Sequence, residues 1–349
     1  MIRQIRVLVV DDSAVARAAL TRGLEMDPNI LVVGQARDPF EARDRILELS
    51  PEVMTLDVEM PRMDGVEFLR RLMPQRPIPV VVVSSLTEKG GRIAMEALEA
   101  GAVDVVAKPT RNLSGGLDAM LAELRTKVKI ASTVNVSRWK LRPSTPQPPA
   151  TAALSDTTDK IIAIGASTGG TEAIRAVLDS MPASAPGIVI VQHMPAGFTT
   201  AFAQRLDESS AVQVREAKDG DRVFPGRALL APGGTQMRLM RSGGEYRVQV
   251  GGTLKVSGHC PSVDVLFSST ADCAGRNAVG ALLTGMGADG AAGLLRMRQA
   301  GARTLAQDEA TSVVWGMPRV AWEKGAAERL EPIEAVAGRI LQWLTPGAR

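Results

Sequence analysis

The stretch KIIAIGASTGG, residues 160–170, reads as a short buried strand, a tight turn and the first residues of a helix. Its apolar run is β-branched and too short for a helix, and its glycines bracket one serine, Ser167, in a Gly-x-Ser-x-Gly pattern. Small neighbours let a serine oxygen project from such a turn, and a helix N-terminus beside it favours developing negative charge. Two other readings stand beside this nucleophile elbow. The serine caps the helix, or the glycine-rich loop cradles a phosphate. The loop lacks the GxGxxG spacing and the Walker lysine, which weakens nucleotide binding.

Outward from this stretch, α/β periodicity continues. Strands are expected at residues 161–165, 188–192, 228–231, 278–283 and 302–306, with helices after Gly170, Phe198, Ser262 and Gly290 and a last helix at 332–344. Residues 236–250, with Gly243-Gly244 between two alternating runs, read as a β-hairpin. The expected fold of this half is a doubly wound parallel sheet with a hairpin.

Two further segments end strands of that sheet. VIVQHMP carries His193, one of only two histidines in the chain. It is a candidate general base, against the alternative of a satisfied core histidine. The other, His259 in SGHCPSVD, precedes a helix and is a candidate to line the site. LTGMGADG carries Asp289, a candidate to orient His193, against the alternative of a helix N-cap. Backbone N–H groups at Thr168 and around Met286 are candidates for an oxyanion hole. The order Ser, His, Asp differs from the Ser, Asp, His of α/β-hydrolases, so that fold is not expected.

Upstream, residues 140–159 are rich in Pro, Ser, Thr and Ala without an apolar period, as a linker is. The domains are therefore placed at 1–130 and 160–349, with a linker at 131–159. The first domain repeats βα five times, with strands at 5–10, 30–34, 53–57, 79–84 and 103–108 and helical patterns at 14–26, 39–49, 65–73 and 92–100. A five-stranded parallel sheet, (βα)5, follows. Functional groups gather at the carboxyl ends of such strands. There stand Asp11 and Asp12, Asp57, Ser84 and Lys108. Three clustered carboxylates repel one another, and a hard cation such as Mg²⁺ relieves that. Isolated surface aspartates at strand ends are common, but complementary polar groups at several strand ends are not.

This constellation resembles the receiver domain of bacterial response regulators, with Asp11-Asp12, Pro61, Gly65, Asp57, Ser84 and Lys108-Pro109 in place. The resemblance implies phosphorylation of Asp57 by a histidine kinase. It implies Mg²⁺ on Asp12 and Asp57 with Asp11 in support, and Lys108 and Ser84 on the phosphoryl oxygens. The aromatic switch residue common three positions before the lysine is here Val105. Residues 160–345 resemble the catalytic domain of the chemotaxis protein-glutamate methylesterases, through GASTGG, QHMP, HCPSVDVLF and LLTGMGADGAAG. Cys260 stands where many relatives carry a basic residue. The resemblance implies hydrolysis of glutamyl methyl esters, and deamidation of glutamines, on the cytoplasmic helices of methyl-accepting chemotaxis receptors. Ser167 would be the nucleophile, His193 the base and Asp289 its partner, with no cofactor at this second site. Phosphorylation would relieve obstruction of Ser167 by the receiver.

Composition agrees with a two-domain globular protein: 349 residues, 45% hydrophobic and 23% charged. A net charge of +3 does not call for nucleic acid or an anionic membrane, and no helix-turn-helix or basic stripe follows the first domain. Two cysteines without a CxxC pair suit a reducing cytosol. The N-terminal IRVLVV runs straight into Asp11, unlike a signal peptide, and no apolar run approaches the roughly 20 residues that span a bilayer. A cytoplasmic monomer without membrane insertion is expected. The rival reading is a receiver fused to a Rossmann-like nucleotide sensor. Reaction of Ser167 with a serine-directed phosphonate would separate the two.

Overall fold

The computed structural model describes residues 3–60, 63–109, 116–134, 136 and 159–345. The chain divides into two compact units, Met1–Arg142 and Pro143–Arg349. Of the expected linker, only residues 131–134, 136 and 159 fall among those described.

The first unit is a parallel sheet of β1 (Ile5–Val10), β2 (Ile30–Ala36), β3 (Val53–Asp57), β4 (Val80–Ser84) and β5 (Asp104–Ala107), in the order β2-β1-β3-β4-β5. Helices α1 (Ala14–Glu25), α2 (Pro39–Leu49), α3 (Gly65–Gln75), α4 (Glu88–Glu99) and α5 (Gly116–Ala131) follow the strands in turn. β3 and β4 are buried at every residue, as a sheet covered on both faces requires. The first four helices start on side-chain caps, from Ser13, Asp38, Asp64 and Thr87. Helix α4 begins at Glu88, four residues before the periodicity suggests. Gly90 and Gly91 mask its first turn in sequence, and the Gly90 N–H donates to Thr87 Oγ1 at 3.0 Å.

The second unit holds seven parallel strands in the order β15-β14-β13-β6-β7-β10-β8. These are β6 (Ile161–Ala166), β7 (Gly187–Gln192), β8 (Gln213–Glu216), β10 (Arg227–Leu230), β13 (Ala278–Leu282), β14 (Arg303–Gln307) and β15 (Arg329–Glu331). The helices are α6 (Gly170–Asp179), α7 (Phe198–Ser209), α8 (Val263–Ala274), α9 (Ala291–Gln299), α10 (Met317–Glu323) and α11 (Ile333–Leu344). Helix α6 packs with α7 and α11, and α9 packs with α8 and α10, giving two helical layers about the sheet. The fold is thus doubly wound. Ile161, Ile162 and Ile164 are among its largest fully buried side chains. The hairpin is present as β11 (Met237–Ser242) and β12 (Glu245–Val250), joined through Gly243-Gly244, with the two-residue β9 (Arg222–Val223) as a third strand.

Strand order reverses between β1 and β3 in the first unit and between β6 and β13 in the second. Crevices open at the carboxyl ends of the strands at such switch points. Among the described residues no helix is long and apolar enough to cross a membrane.

Candidate functional site

In the first unit, Asp11 and Asp12 follow β1 and Asp57 ends β3, on the two sides of the switch point. Each offers a carboxylate oxygen, and these oxygens lie within 4.8 Å of one another. Asp11 and Asp57 are buried and Asp12 is exposed. Lys108 Nζ donates to Asp57 Oδ2 at 2.6 Å and to Asp11 Oδ2 at 3.0 Å. Burial pushes the Asp11 carboxyl up and the Asp57 charge adds to this, while Lys108 opposes both. Burial would lower Lys108, yet its bonds to the two carboxylates raise it. The donor set is hard oxygen around a crevice, with one ammonium alongside, which fits an octahedral divalent cation and a phosphoryl group. The Ser84 hydroxyl is buried at the end of β4 and donates to the Gly90 carbonyl at 3.2 Å. Val105 is buried in β5. Pro61 lies outside the described residues, and Gly65 opens α3, its N–H donating to the Val58 carbonyl.

In the second unit the registers bring the sequence-predicted residues together. Ala166 pairs with Gln192 across β6 and β7, so Ser167 and His193 each stand one residue beyond a paired position on adjacent strands. The His193 N–H donates to the Ala166 carbonyl, and the Ser167 N–H to the Thr284 carbonyl beyond β13. The loop after β13 closes over Ser167 so tightly that a Cβ at Gly285 would lie 2.6 Å from the Ser167 Cβ.

His193 Nε2 lies 2.8 Å from Asp289 Oδ2, the pairing expected for the third member of a triad. Its Nδ1 is buried with no hydrogen-bond partner. The Ser167–His193 hydrogen bond expected of a nucleophile and its base is therefore not formed. Catalytic bonds of this kind are commonly long or poorly aligned until substrate is bound. The tautomer that serves serine here must carry its proton on Nε2, toward Asp289, leaving Nδ1 as the acceptor.

Asp289 is buried and does cap a helix, but not the one that follows it. Its Oδ2 accepts from the Val263 N–H at 2.8 Å, and its Oδ1 from the Asp264 N–H at 3.0 Å and the Ser262 hydroxyl at 2.8 Å. These amides open α8, whose N-terminal partial charge favours an anion. Asp264 returns the arrangement by accepting from the Gly293 N–H in the first turn of α9, at 2.7 Å. Burial alone would raise Asp289, but the bonds from His193, Asp264 and Ser262 overcome it and hold the carboxyl below its usual range. Its neighbour Asp264 is pushed up, by burial first and then by the Asp289 charge. The member of this pair whose carboxyl is held lower is the one that faces the imidazole.

Three supporting residues escaped the sequence reading. Gln192, inside the QHMP stretch, donates from Nε2 to the carbonyls of Ser167 and His193, at 2.9 and 3.1 Å. Ser262, inside HCPSVDVLF, grips Asp289. Thr284 donates to the Thr168 carbonyl and accepts from the Val314 N–H, stitching three loops. Thr168 is buried and Met286 is exposed on the loop beyond β13. His259 is stacked on His193, with ring centroids 3.7 Å apart and planes 5° apart.

Residues 162–340 match the CheB methylesterase family, and residues 7–114 match the response regulator receiver domain. The protein-glutamate methylesterase/protein-glutamine glutaminase of Syntrophotalea carbinolica is 58% identical, with 99% of each chain covered. Protein-glutamate methylesterase/protein-glutamine glutaminase 2 of Pseudomonas aeruginosa is 54% identical, over 97% of this chain and 96% of its own. The crystal structure of the Thermotoga maritima CheB methylesterase catalytic domain superposes with a TM-score of 0.51 at 34% identity, covering 52% of this chain and 97% of that one.

Proposed function

The chain belongs to the CheB methylesterase family and carries a receiver unit ahead of the catalytic one, and on that premise we propose how its residues perform and control ester hydrolysis. It is a protein-glutamate methylesterase and protein-glutamine glutaminase acting on chemoreceptors, regulated by phosphorylation of the receiver. The observation that carries the mechanism is the His193 ring, bound through Nε2 to an ionised Asp289 and left with a free Nδ1 one strand from Ser167.

Ser167 Oγ attacks the ester carbonyl carbon while His193 Nδ1 takes the hydroxyl proton. The carbonyl electron pair moves to oxygen, where N–H groups at Thr168 and Met286 would donate. Collapse breaks the bond to methoxide, which leaves as methanol with the proton from Nδ1. Water then attacks the glutamyl–serine ester, Nδ1 accepts its proton and returns it to Ser167, and a glutamate carboxylate is released. With glutamine the leaving group is ammonia. Asp289 stabilises the imidazolium formed in each half-reaction without taking the proton itself.

In the receiver, Asp57 accepts the phosphoryl group from a histidine kinase. Asp11, Asp12 and Asp57 would hold a divalent cation, Mg²⁺ by the hardness of the donors, and its charge would offset that of the phosphoryl oxygens. Lys108, bonded to Asp57, would bind a phosphoryl oxygen there, and the Ser84 hydroxyl would turn from Gly90 to do the same.

Methanol release from methylated receptor, with and without a small phosphodonor, tests this reading. The phosphodonor should raise the rate, and Ser167→Ala should reduce it to near background. Ser167→Ala with most of its activity intact would remove the mechanism.

The nucleotide-sensor alternative has less support, since two amides of the turn are already engaged, the Ser167 N–H with the Thr284 carbonyl and the Gly170 N–H with the Ser167 carbonyl.

A further inference from the structure

One buried side chain outside the triad holds the segment that flanks both His193 and Asp289. Gln236, 2% exposed, stands immediately before β11. Its Nε2 donates to the Leu254 carbonyl at 2.9 Å and to the His259 carbonyl at 3.2 Å, and its Oε1 accepts from the Ser262 N–H at 2.9 Å. Its backbone exchanges two more bonds with the same segment, N–H to the Gly252 carbonyl and carbonyl to the Gly251 N–H, each 2.9 Å. Residues 252–258 are otherwise exposed, so little apolar packing fixes this stretch. Gln236 thereby controls two groups at once. One is the His259 ring, stacked on His193, and the other is Ser262, whose hydroxyl donates to Asp289.

We propose that Gln236 is a positioning residue for the catalytic imidazole, acting through residues 251–262 to hold His259 against His193 and Ser262 on Asp289. The proposal rests on His193 being the general base. A second imidazole 3.7 Å away, its plane 5° from that of His193, fixes the plane of the catalytic ring. The Ser262 hydroxyl holds Asp289 Oδ1 and so sets the direction of Oδ2, which meets His193 Nε2. Releasing the segment loosens both restraints, and the chemical step loses alignment while substrate binding is retained.

The test uses the full chain, activated by a small phosphodonor, with methanol release followed over a range of methylated-receptor concentrations. Gln236→Met keeps the length and removes all three side-chain bonds. Gln236→Glu keeps the acceptor for Ser262 but sets a carboxylate oxygen against two carbonyls. Each should lower kcat about tenfold with KM within about twofold of the wild-type value. Ser262→Ala should lower kcat by less at unchanged KM, and it carries the test with Gln236→Glu should Gln236→Met fail to fold. Folded variants with the wild-type kcat would overturn the proposal. His193→Ala, measured in parallel, separates the two readings. Its inactivity beside an unaltered Gln236→Met rejects the positioning role alone, whereas an active His193→Ala rejects the base on which it rests.

Discussion

Replacing Asp289 by Asn should damage stability and turnover together, and the bonding around the carboxylate gives the size of each effect. Asp289 accepts four hydrogen bonds, from His193 Nε2, Ser262 Oγ and the N–H groups of Val263 and Asp264. An amide has one acceptor. If its NH₂ takes the Oδ1 position, it opposes the Asp264 N–H at the start of α8; if it takes the Oδ2 position, it opposes the Val263 N–H and donates to His193. Either way one buried helix-end N–H loses its partner, at roughly 1–3 kcal/mol, and the charge on the helix terminus is lost, at about 0.3–1 kcal/mol. The sum is about 1.3–4 kcal/mol, or a fall in Tm of roughly 3–16 °C for a unit of this size. In the second orientation the ring proton also moves to Nδ1, which removes the acceptor that Ser167 needs. Loss of the correct tautomer costs up to about 10⁴ in kcat in triads of this kind. Methanol release and calorimetric melting of the full chain check both effects. Asp289→Asn melting with the wild-type protein and turning over within about threefold of it would refute the assignment of this carboxylate.

Other outcomes are expected. His193→Ala should be as inactive as Ser167→Ala, while Asp289→Ala should be milder than either, since the orienting acid commonly contributes less than the nucleophile or base. If the unphosphorylated receiver holds the esterase in check, removal of residues 1–140 should raise basal turnover, and Asp57→Asn should abolish the response to a phosphodonor while leaving the basal rate. A coupling of about 1–3 kcal/mol would give a change of roughly 5–150-fold, and a truncated chain no faster than the whole would argue against inhibition. The bond from Lys129, with those from Asn29, holds Asp27 at about 2, below its usual 3.8. A depressed carboxyl stabilises the fold above its unfolded value and loses that contribution as pH falls through the folded one. Asp27→Asn should therefore be less stable by about 1 kcal/mol at pH 6, after allowance for solvent around Lys129. The gap in urea midpoints should close as pH falls from 4 toward 2.

Much of this arrangement was legible because parallel strands buried on both faces leave uninterrupted β-branched runs, and such runs end where chemistry is done. IRVLVV, VMTLD, IIAIG and GIVIVQ each lead to a candidate site residue that the structure places at or just beyond the carboxyl end of its strand. The edge strands were not legible. QVRE at 213–216 has one buried residue, and RLE at 329–331 is three residues long, so neither carries an apolar run. Helix α10 opens on Met317-Pro318 and lasts seven residues, too few for a period to show. Nor could the sequence say which imidazole nitrogen meets Asp289, or that this residue caps α8. Both depend on side chains from segments far apart in the chain, as does Gln236, which looks locally like any residue before a hairpin.

The face-to-face pair of imidazoles has a practical consequence. The chain contains two histidines, and both are in that stack. A nitrogen-15 NMR spectrum of the imidazole side chains of the full-length protein thus holds two spin systems, neither from anywhere but the cleft. Tautomer, protonation and contact with an acyl group on Ser167 can each be watched without an added reporter group or a background to subtract. The same scarcity makes acylation by diethyl pyrocarbonate a count of open clefts, and comparing that count before and after phosphorylation would report access to the cleft independently of turnover.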